Sequence, residues 1–250
     1  MRLLNRANLK NRLKYLLQSL LGFSRYLYIF SNFKIATLRW DKKEGDFFYF
    51  LSLMKKDKGS ILDVGANIGI MTAHLSENFP NDSVFSIEPM PENLSVLKKI
   101  ISKRNLKNVK VFPVAVGSES GSLKMIMPTD GKAKLQGLSH VKTAEITEWN
   151  EGEEFEVEVK TLDELFANEK IQGIKMDVEN YEFHALKGAR NILETQRPIV
   201  YTELWDNENR KNCIDLMTAL NYGTQVVVNK KLTDFDANVH SNQNFLFIPN

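Results

Sequence analysis

Two short stretches carry residue types that could do chemistry together. The first is Ile61-Leu62-Asp63-Val64-Gly65-Ala66-Asn67-Ile68-Gly69, an apolar run that enters a turn with glycine at 65 and 69. Glycine lets the chain turn tightly and lets a ligand approach the backbone. The spacing differs from the G-x-G-x-x-G of a dinucleotide site, and no lysine follows as in a phosphate loop. Asp63 would repel a pyrophosphate and attract a cation. It therefore points to a ligand such as S-adenosylmethionine, with its sulfonium and amino groups. Glu88, in Ile87-Glu88-Pro89, follows Gly69 by 19 residues. An acid about 20 residues after such a turn accepts hydrogen bonds from ribose hydroxyls. Turn and acid together predict an adenosine-containing ligand.

The second stretch is Ile174-Lys175-Met176-Asp177-Val178-Glu179-Asn180-Tyr181-Glu182. Strand alternation would place Lys175, Asp177 and Glu179 on one side if the strand runs that far. Methyl transfer to oxygen needs donor and acceptor in line, and a neutral hydroxyl gains from losing its proton as it attacks. Positioning contributes about 7–11 kcal/mol, and a general base about 10²–10⁴-fold. Asp177 and Glu179 are the candidate bases, with His184 in the adjoining helix and His140 further away as alternatives. Lys175 is a further candidate catalytic residue, or else a charge partner for these acids. Asp177, Glu179 and Glu203 could also gather oxygen ligands for a divalent metal such as Mg²⁺. Spacing alone leaves that question open.

These residues need a scaffold that brings separate strand ends together. Short apolar runs at Ile61–Val64, Ser83–Ile87, Val109–Val116, Ile174–Val178 and Ile199–Glu203 read as strands. Helical patterns fall at 69–79, 91–104, 180–196 and Asn207–Leu220, and Gln225–Val228 and Phe245–Ile248 read as closing strands. Strand–helix alternation implies a mostly parallel sheet covered on both faces, with ligands bound outside the carboxyl ends of its strands. Residues 118–160 interrupt the rhythm, with extra strands expected at Leu123–Met127 and Phe155–Lys160.

The chain has 250 residues, 43% of them hydrophobic and 26% charged, which suits one α/β domain with an appendage. A single cysteine excludes an intrachain disulfide framework. The net charge of +2 hides an asymmetry: residues 1–40 hold eight Lys and Arg and no acid, which leaves −6 for the rest. Residues 1–56 read as a basic, aromatic-rich helical arm, and 57–250 as the catalytic domain. Within the arm Leu9, Leu13, Leu16, Leu17 and Leu20 share a helical face, and a further helix is expected at Asp46–Met54. The charge-free runs Tyr15–Ser24 and Tyr26–Phe33 are far shorter than the ~20 residues of a membrane span. Arg2, Arg6, Lys10, Arg12 and Lys14 could head a signal peptide, but polar Gln18 and Ser19 interrupt its apolar run. The expectation is a cytoplasmic protein. Its arm either caps the acceptor site or touches anionic lipid peripherally, where each basic residue contributes ~1 kcal/mol.

The chain resembles the FkbM-type family of S-adenosylmethionine-dependent methyltransferases over roughly residues 60–205. The matching stretches are the 62–69 turn, Ile87-Glu88-Pro89-Met90-Pro91, Val114-Ala115-Val116-Gly117, Val159-Lys160-Thr161-Leu162-Asp163, Ile174–Glu179 and Leu186-Lys187-Gly188-Ala189. The resemblance implies a Rossmann-like class I methyltransferase fold of about seven strands, the last two a hairpin with one antiparallel strand. It implies that Asp63, Gly65, Ala66, Asn67 and Gly69 shape the methionine end of the cofactor. Glu88 and Pro89 would hold the ribose, Ala115 would lie near the adenine, and Asp177 and Glu179 would face the methyl group. It further implies O-methylation, most often of a sugar hydroxyl in a glycan, glycolipid or polysaccharide precursor. Asn180 stands where the family usually has glycine, and Asn tolerates the left-handed backbone such a turn needs. The residues of Ala133–Trp149 cannot be assigned by resemblance.

Other readings remain at this stage: another small-molecule, lipid or protein acceptor, or a binding protein that keeps the fold without turnover. Nucleic acid is not expected as a partner, because the body is acidic and lacks the Asn-Pro-Pro-Tyr signature of base methylation.

Overall fold

The computed structural model describes residues 14–130, 133–141 and 151–250. Leu9, Leu13 and the four basic residues before Lys14 lie outside that set.

The expected doubly wound architecture is present. Strands β1 (Ser60–Val64), β2 (Val84–Ile87) and β3 (Val109–Phe112) run parallel, each separated from the next by a helix, Ile70–Asn78 and then Pro91–Arg104. Pro91 starts the second helix with its fixed φ, and Asn105 ends it in a left-handed conformation at φ 55°.

After β3 the chain leaves the sheet. The sequence reads one strand from 109 to 116, but Pro113 has no N–H to continue the ladder. Ala115–Val116 forms a separate short strand, β4, that pairs with Val159 and Lys160. The insert supplies β5 (Gly121–Asp130), β6 (Ala133–Lys134), β7 (His140–Val141) and β8 (Gly152–Lys160), in a second sheet of order β4-β8-β5-β6 with β7 beside β5. Both expected strands of the insert are found, extended at their ends.

β9 (Ile171–Met176) then enters between β1 and β10 (Ile199–Glu203), parallel to both. β11 (Tyr222–Val228), β12 (Lys231–Asp234) and β13 (Asn244–Pro249) complete an eight-stranded sheet of order β12-β11-β13-β10-β9-β1-β2-β3. β13 is antiparallel to both β10 and β11, as the resemblance implied. The eighth strand, β12, was not expected. It forms because Asn229 and Lys230 both take positive φ, 51° and 63°, a conformation that closes tight hairpins.

The helix expected over 180–196 is two helices, Glu182–Lys187 and Arg190–Thr195. Gly188 lies between them, where a Cβ would overlap the Gly117 carbonyl. Asp163 receives the backbone N–H groups of Asn191 and Ile192 at 2.8 and 2.9 Å, so it caps the second helix from across the fold. That gives Asp163 and Gly188 structural roles.

Side-chain alternation covers both sheet faces. Leu62, Phe85, Ile174, Val200, Phe245 and Phe247 join one buried cluster. Ile61, Val84, Tyr201 and Leu246 join another, closed by Phe47 and Phe50 from the helix Gly45–Leu53. The helix Phe23–Thr37 buries Leu27, Ser31 and Ile35 against a third cluster. Ser31 donates to the Ile68 carbonyl at 2.9 Å, and Gln18 exchanges two hydrogen bonds with the Lys134 backbone. From residue 14 onward the arm is therefore part of the packed body.

Leu27 is fully buried. Leu27→Ala should lower the unfolding free energy by ~2–4 kcal/mol in urea titration. An unchanged midpoint would show that this helix is not docked.

Candidate functional site

The site lies at the carboxyl ends of β1, β2 and β9. It begins with a buried ion pair. Asp63, on β1, is fully buried, and Lys175, on the neighbouring β9, is 3% exposed. The Lys175 ammonium lies 3.3 Å from Asp63 Oδ1, donates to the Gly65 carbonyl at 2.9 Å and lies 3.9 Å from Asp177 Oδ2. Asp63 Oδ2 accepts from Thr72 Oγ1 at 2.6 Å. Burial works against the charged ammonium, but Asp63 and then Asp177 outweigh it and hold the Lys175 pKa above its ordinary value. The carboxylate expected to meet a cationic ligand thus already has an internal cation, and it is absent from the cavity wall described next.

The turn after β1 is shaped by close approach. Gly65 has φ 75°, and a Cβ there would overlap the Asp177 carbonyl. The Asp177 N–H donates to the Val64 carbonyl at 3.0 Å. Gly69, at φ 82°, caps the next helix, and a Cβ there would press on Leu97 at 2.9 Å.

A cavity opens above this turn. Gly65, Asn67, Glu88, Pro89 and Met90 form one side, Ala115 and Val116 another, and Asp177, Val178, Glu179 and Tyr181 a third. The insert closes it with Met125, Gln136, Gly137, Ser139 and Val141. These insert residues could not be found by motif, because folding across the gap from β5 to β7 places them there. Gly65, Ala66, Asn67 and Asp177 also line an adjoining cleft beneath Phe30 and Lys34 of the arm helix and Leu38 just after it.

Glu88 is buried and mostly satisfied by protein. It accepts from Asn67 N at 2.8 Å, Met90 N at 2.8 Å and Asn93 Nδ2 at 3.2 Å. A carboxylate has about four acceptor positions, so Glu88 organises the loop and keeps room for roughly one hydroxyl. Its pKa is raised by burial, against the pull of those donors. Four lining residues hold buried polar atoms without a protein partner: Asn67 Oδ1, Asn93 Oδ1, Gln136 Oε1 and Ser139 Oγ. Buried polar atoms are normally paired, so this set fits a ligand with several hydrogen-bonding groups, as a nucleoside with an amino-acid tail has.

The strand expected to carry Lys175, Asp177 and Glu179 in alternation stops at Met176. Glu179 and Asn180 then take positive φ, 50° and 71°, and turn the chain into the next helix. Asn180 is suited to that conformation, and its side chain accepts from Asn207 Nδ2 at 2.7 Å. Glu182 fixes the turn from beneath: Oε1 accepts from Val178 N and Asn180 N, and Oε2 from Asn209 Nδ2 at 2.7 Å.

The acids have separated roles. Asp177 is 40% exposed and borders the cavity, the arm cleft and a third cleft of about 420 Å³ lined by Glu44, Tyr201, Glu203, Gln243 and Asn244. Glu179 is pushed up to about 9, by burial first and then by Asp177 and Glu203. Glu203 is raised by burial, Asp177 and Glu44. Although these carboxyls influence one another, no group of three or more metal-ligating side chains is arranged to hold an ion among the described residues. His184 stacks on Tyr181 with ring centroids 4.5 Å apart and lines none of these clefts. His140 is buried and bonds through Nδ1 to the Leu138 carbonyl oxygen at 2.8 Å. No helix among the described residues is long and apolar enough to cross a membrane.

Comparison with known proteins shows the family. Residues 63–235 match the methyltransferase FkbM domain family. Methyltransferase 1 of Beauveria bassiana is 25% identical over 148 residues, covering 53% of this chain and 59% of that protein. The 2-O-methyltransferase NoeI of Sinorhizobium fredii is 27% identical over 169 residues, covering 63% of this chain and 68% of its own length. Among solved structures, a methyltransferase FkbM of Methylobacillus flagellatus superposes with a TM-score of 0.52 at 18% identity, over 78% of this chain and 45% of that one. The chain thus spans about half of that structure and 59% of the Beauveria protein.

Two predictions follow from the polar core. Lys175→Met leaves Asp63 buried without its cation, and should cost ~3–5 kcal/mol in denaturant unfolding. A loss under ~1 kcal/mol would show that the pair is not desolvated as described. Glu182 is pushed up to about 7, chiefly by burial. It holds its proton more tightly folded than unfolded, so its contribution is fully present below the unfolded value near ~4.3 and is lost as pH rises toward 7. Glu182→Gln should flatten the fall in melting temperature between about pH 5 and 7. Parallel profiles for both proteins would refute this.

Proposed function

The chain belongs to the methyltransferase FkbM domain family, and from that premise we propose that it is an S-adenosylmethionine-dependent O-methyltransferase acting on a sugar hydroxyl. The observation that carries the reading is the position of Asp177. Its carboxylate stands between the cavity of unpaired polar atoms and the cleft lined by Glu44, Tyr201, Glu203, Gln243 and Asn244. Cofactor and acceptor would meet across it.

When bound, S-adenosylmethionine supplies a methyl group on a sulfonium. Gly65 would let the backbone approach its methionine end, Asn67 and Glu88 would hold the ribose, and Ala115 and Val116 would offer an apolar wall to the base. Asp177 accepts the hydrogen bond of the acceptor hydroxyl and takes its proton as the oxygen attacks. Burial, and then Asp177 and Glu203, push Glu179 up to about 9. That favours the more exposed Asp177 over Glu179 as the base. Lys175 and Asp63 position the strand ends and do not touch the reacting atoms.

The acceptor cleft combines carboxylates with the amides of Gln243 and Asn244 and the Tyr201 hydroxyl. Carboxylates and amides bind vicinal hydroxyls, and a cleft carrying Glu44, Asp177 and Glu203 disfavours phosphate or carboxylate groups at the reacting end. A relative named as a 2-O-methyltransferase supports transfer to oxygen. The acceptor is thus a neutral or cationic part of a glycan, glycolipid or polysaccharide precursor.

The test is methyl transfer from labelled S-adenosylmethionine to a panel of neutral sugars, amino sugars and glycolipid extracts. Asp177→Asn should lower kcat by ~10²–10⁴-fold and leave affinity for S-adenosylhomocysteine within a few-fold. Full activity in that variant would remove Asp177 as base, and cofactor binding without turnover on any acceptor would favour a non-catalytic protein.

A further inference from the structure

The arm helix Phe23–Thr37 has two unlike faces. Leu27, Ser31 and Ile35 are buried in the body. On the opposite side Ile29, Phe33 and Ala36 recur at helical spacing and face solvent, and Trp40, in the short 3-10 turn Leu38–Trp40 that follows the helix, is exposed as well. Phe33 is 62% exposed and Trp40 78%, and in the preceding helical segment, residues 14–21, Leu20 is 73% exposed. Isolated exposed apolar residues are ordinary, but a clustered set on one element marks an interaction surface.

Charge says which partner fits. Arg25 and Arg39 are exposed beside this stripe, and residues 1–40 contain eight basic residues and no acid. The remainder of the chain is at −6, so a negative surface would attract the arm and repel the body, which fixes an orientation. Large apolar and aromatic residues flanked by Arg on a helix with a separate buried face are what an interfacial helix presents to lipid. Trp favours that depth because its ring is apolar and its N–H is polar.

We propose that the outward face of the arm, formed by Ile29, Phe33 and Trp40 with Arg25 and Arg39 beside it, seats on an anionic lipid surface. The same helix turns Phe30 and Lys34, and the turn after it Leu38, toward the cleft that contains Asp177. Docking would therefore place that cleft next to the bilayer, within reach of an acceptor carried by a lipid. This last consequence rests on the methyltransferase reading; the docking itself does not.

The experiment is flotation of the full chain with vesicles of phosphatidylcholine alone and of phosphatidylcholine with phosphatidylglycerol, at low and high salt. The chain should float with the anionic vesicles and be released by salt. Phe33→Asp with Trp40→Asp should reduce binding at least ~10-fold, and Arg25→Glu at least ~5-fold. Both variants should keep the far-ultraviolet spectrum and S-adenosylhomocysteine affinity of the parent, because the substituted side chains face away from the cavity. Absence of flotation, or equal flotation by the double variant, would overturn the proposal. So would a dimer in sedimentation equilibrium that the double variant dissolves without any vesicle binding, since a second copy would then own the face. Loss of methyl transfer with vesicle binding intact would refute the enzymatic reading and leave the docking standing.

Discussion

A charged pair with almost no access to water holds the site together. Lys175 and Asp63 sit on adjacent parallel strands, and the same ammonium reaches the Gly65 carbonyl in the turn. Removing two charges from water costs several kcal/mol per ion. The pair is worth that cost only if it fixes something that apolar packing would leave loose. What it fixes is the relation of two strand ends. One leads into the glycine turn, the other into the Asp177 loop, and they touch where Gly65 lacks a side chain.

The electrostatics of the site follow from that junction. With Asp63 neutralised internally, Asp177 is the carboxylate left half-exposed at the meeting of three clefts. Glu179 lies in a left-handed turn and is pushed upward by burial and its acidic neighbours, while Glu182 is spent on the N–H groups of the turn. Neighbouring carboxyls in one loop are thereby given different surroundings, with Glu179 and Glu182 pushed upward by burial and Asp177 left partly exposed.

Much of this was legible in the residues. An apolar run ending in Asp-Val-Gly and an acid at the end of the next strand could be placed by the rules of open α/β sheets, and Gly65 and Glu88 both line the cavity. Asp63 was misread in role because its partner Lys175 is 112 positions away in sequence, and only the pairing of β1 with β9 brings them together. The break at Pro113 and the division of the helix over 180–196 were signalled by Pro113 and Gly188, but hydrophobic periodicity outweighed them in the reading. Gln136 and Ser139 had no local signal, since an irregular insert becomes a cavity wall only through tertiary packing. Asn93 could have been suspected, because it sits in the first turn of the helix after Glu88 and can reach back to it.

The Gly65–Asp177 contact shapes the cavity proposed for S-adenosylmethionine and its product. Calorimetric titration of S-adenosylhomocysteine into the chain and into Gly65→Val tests it most directly. The account predicts saturable binding by the parent and none by the variant, whose side chain would occupy the space of the Asp177 carbonyl. Equal affinity in both, or no heat from the parent at millimolar ligand, would contradict it.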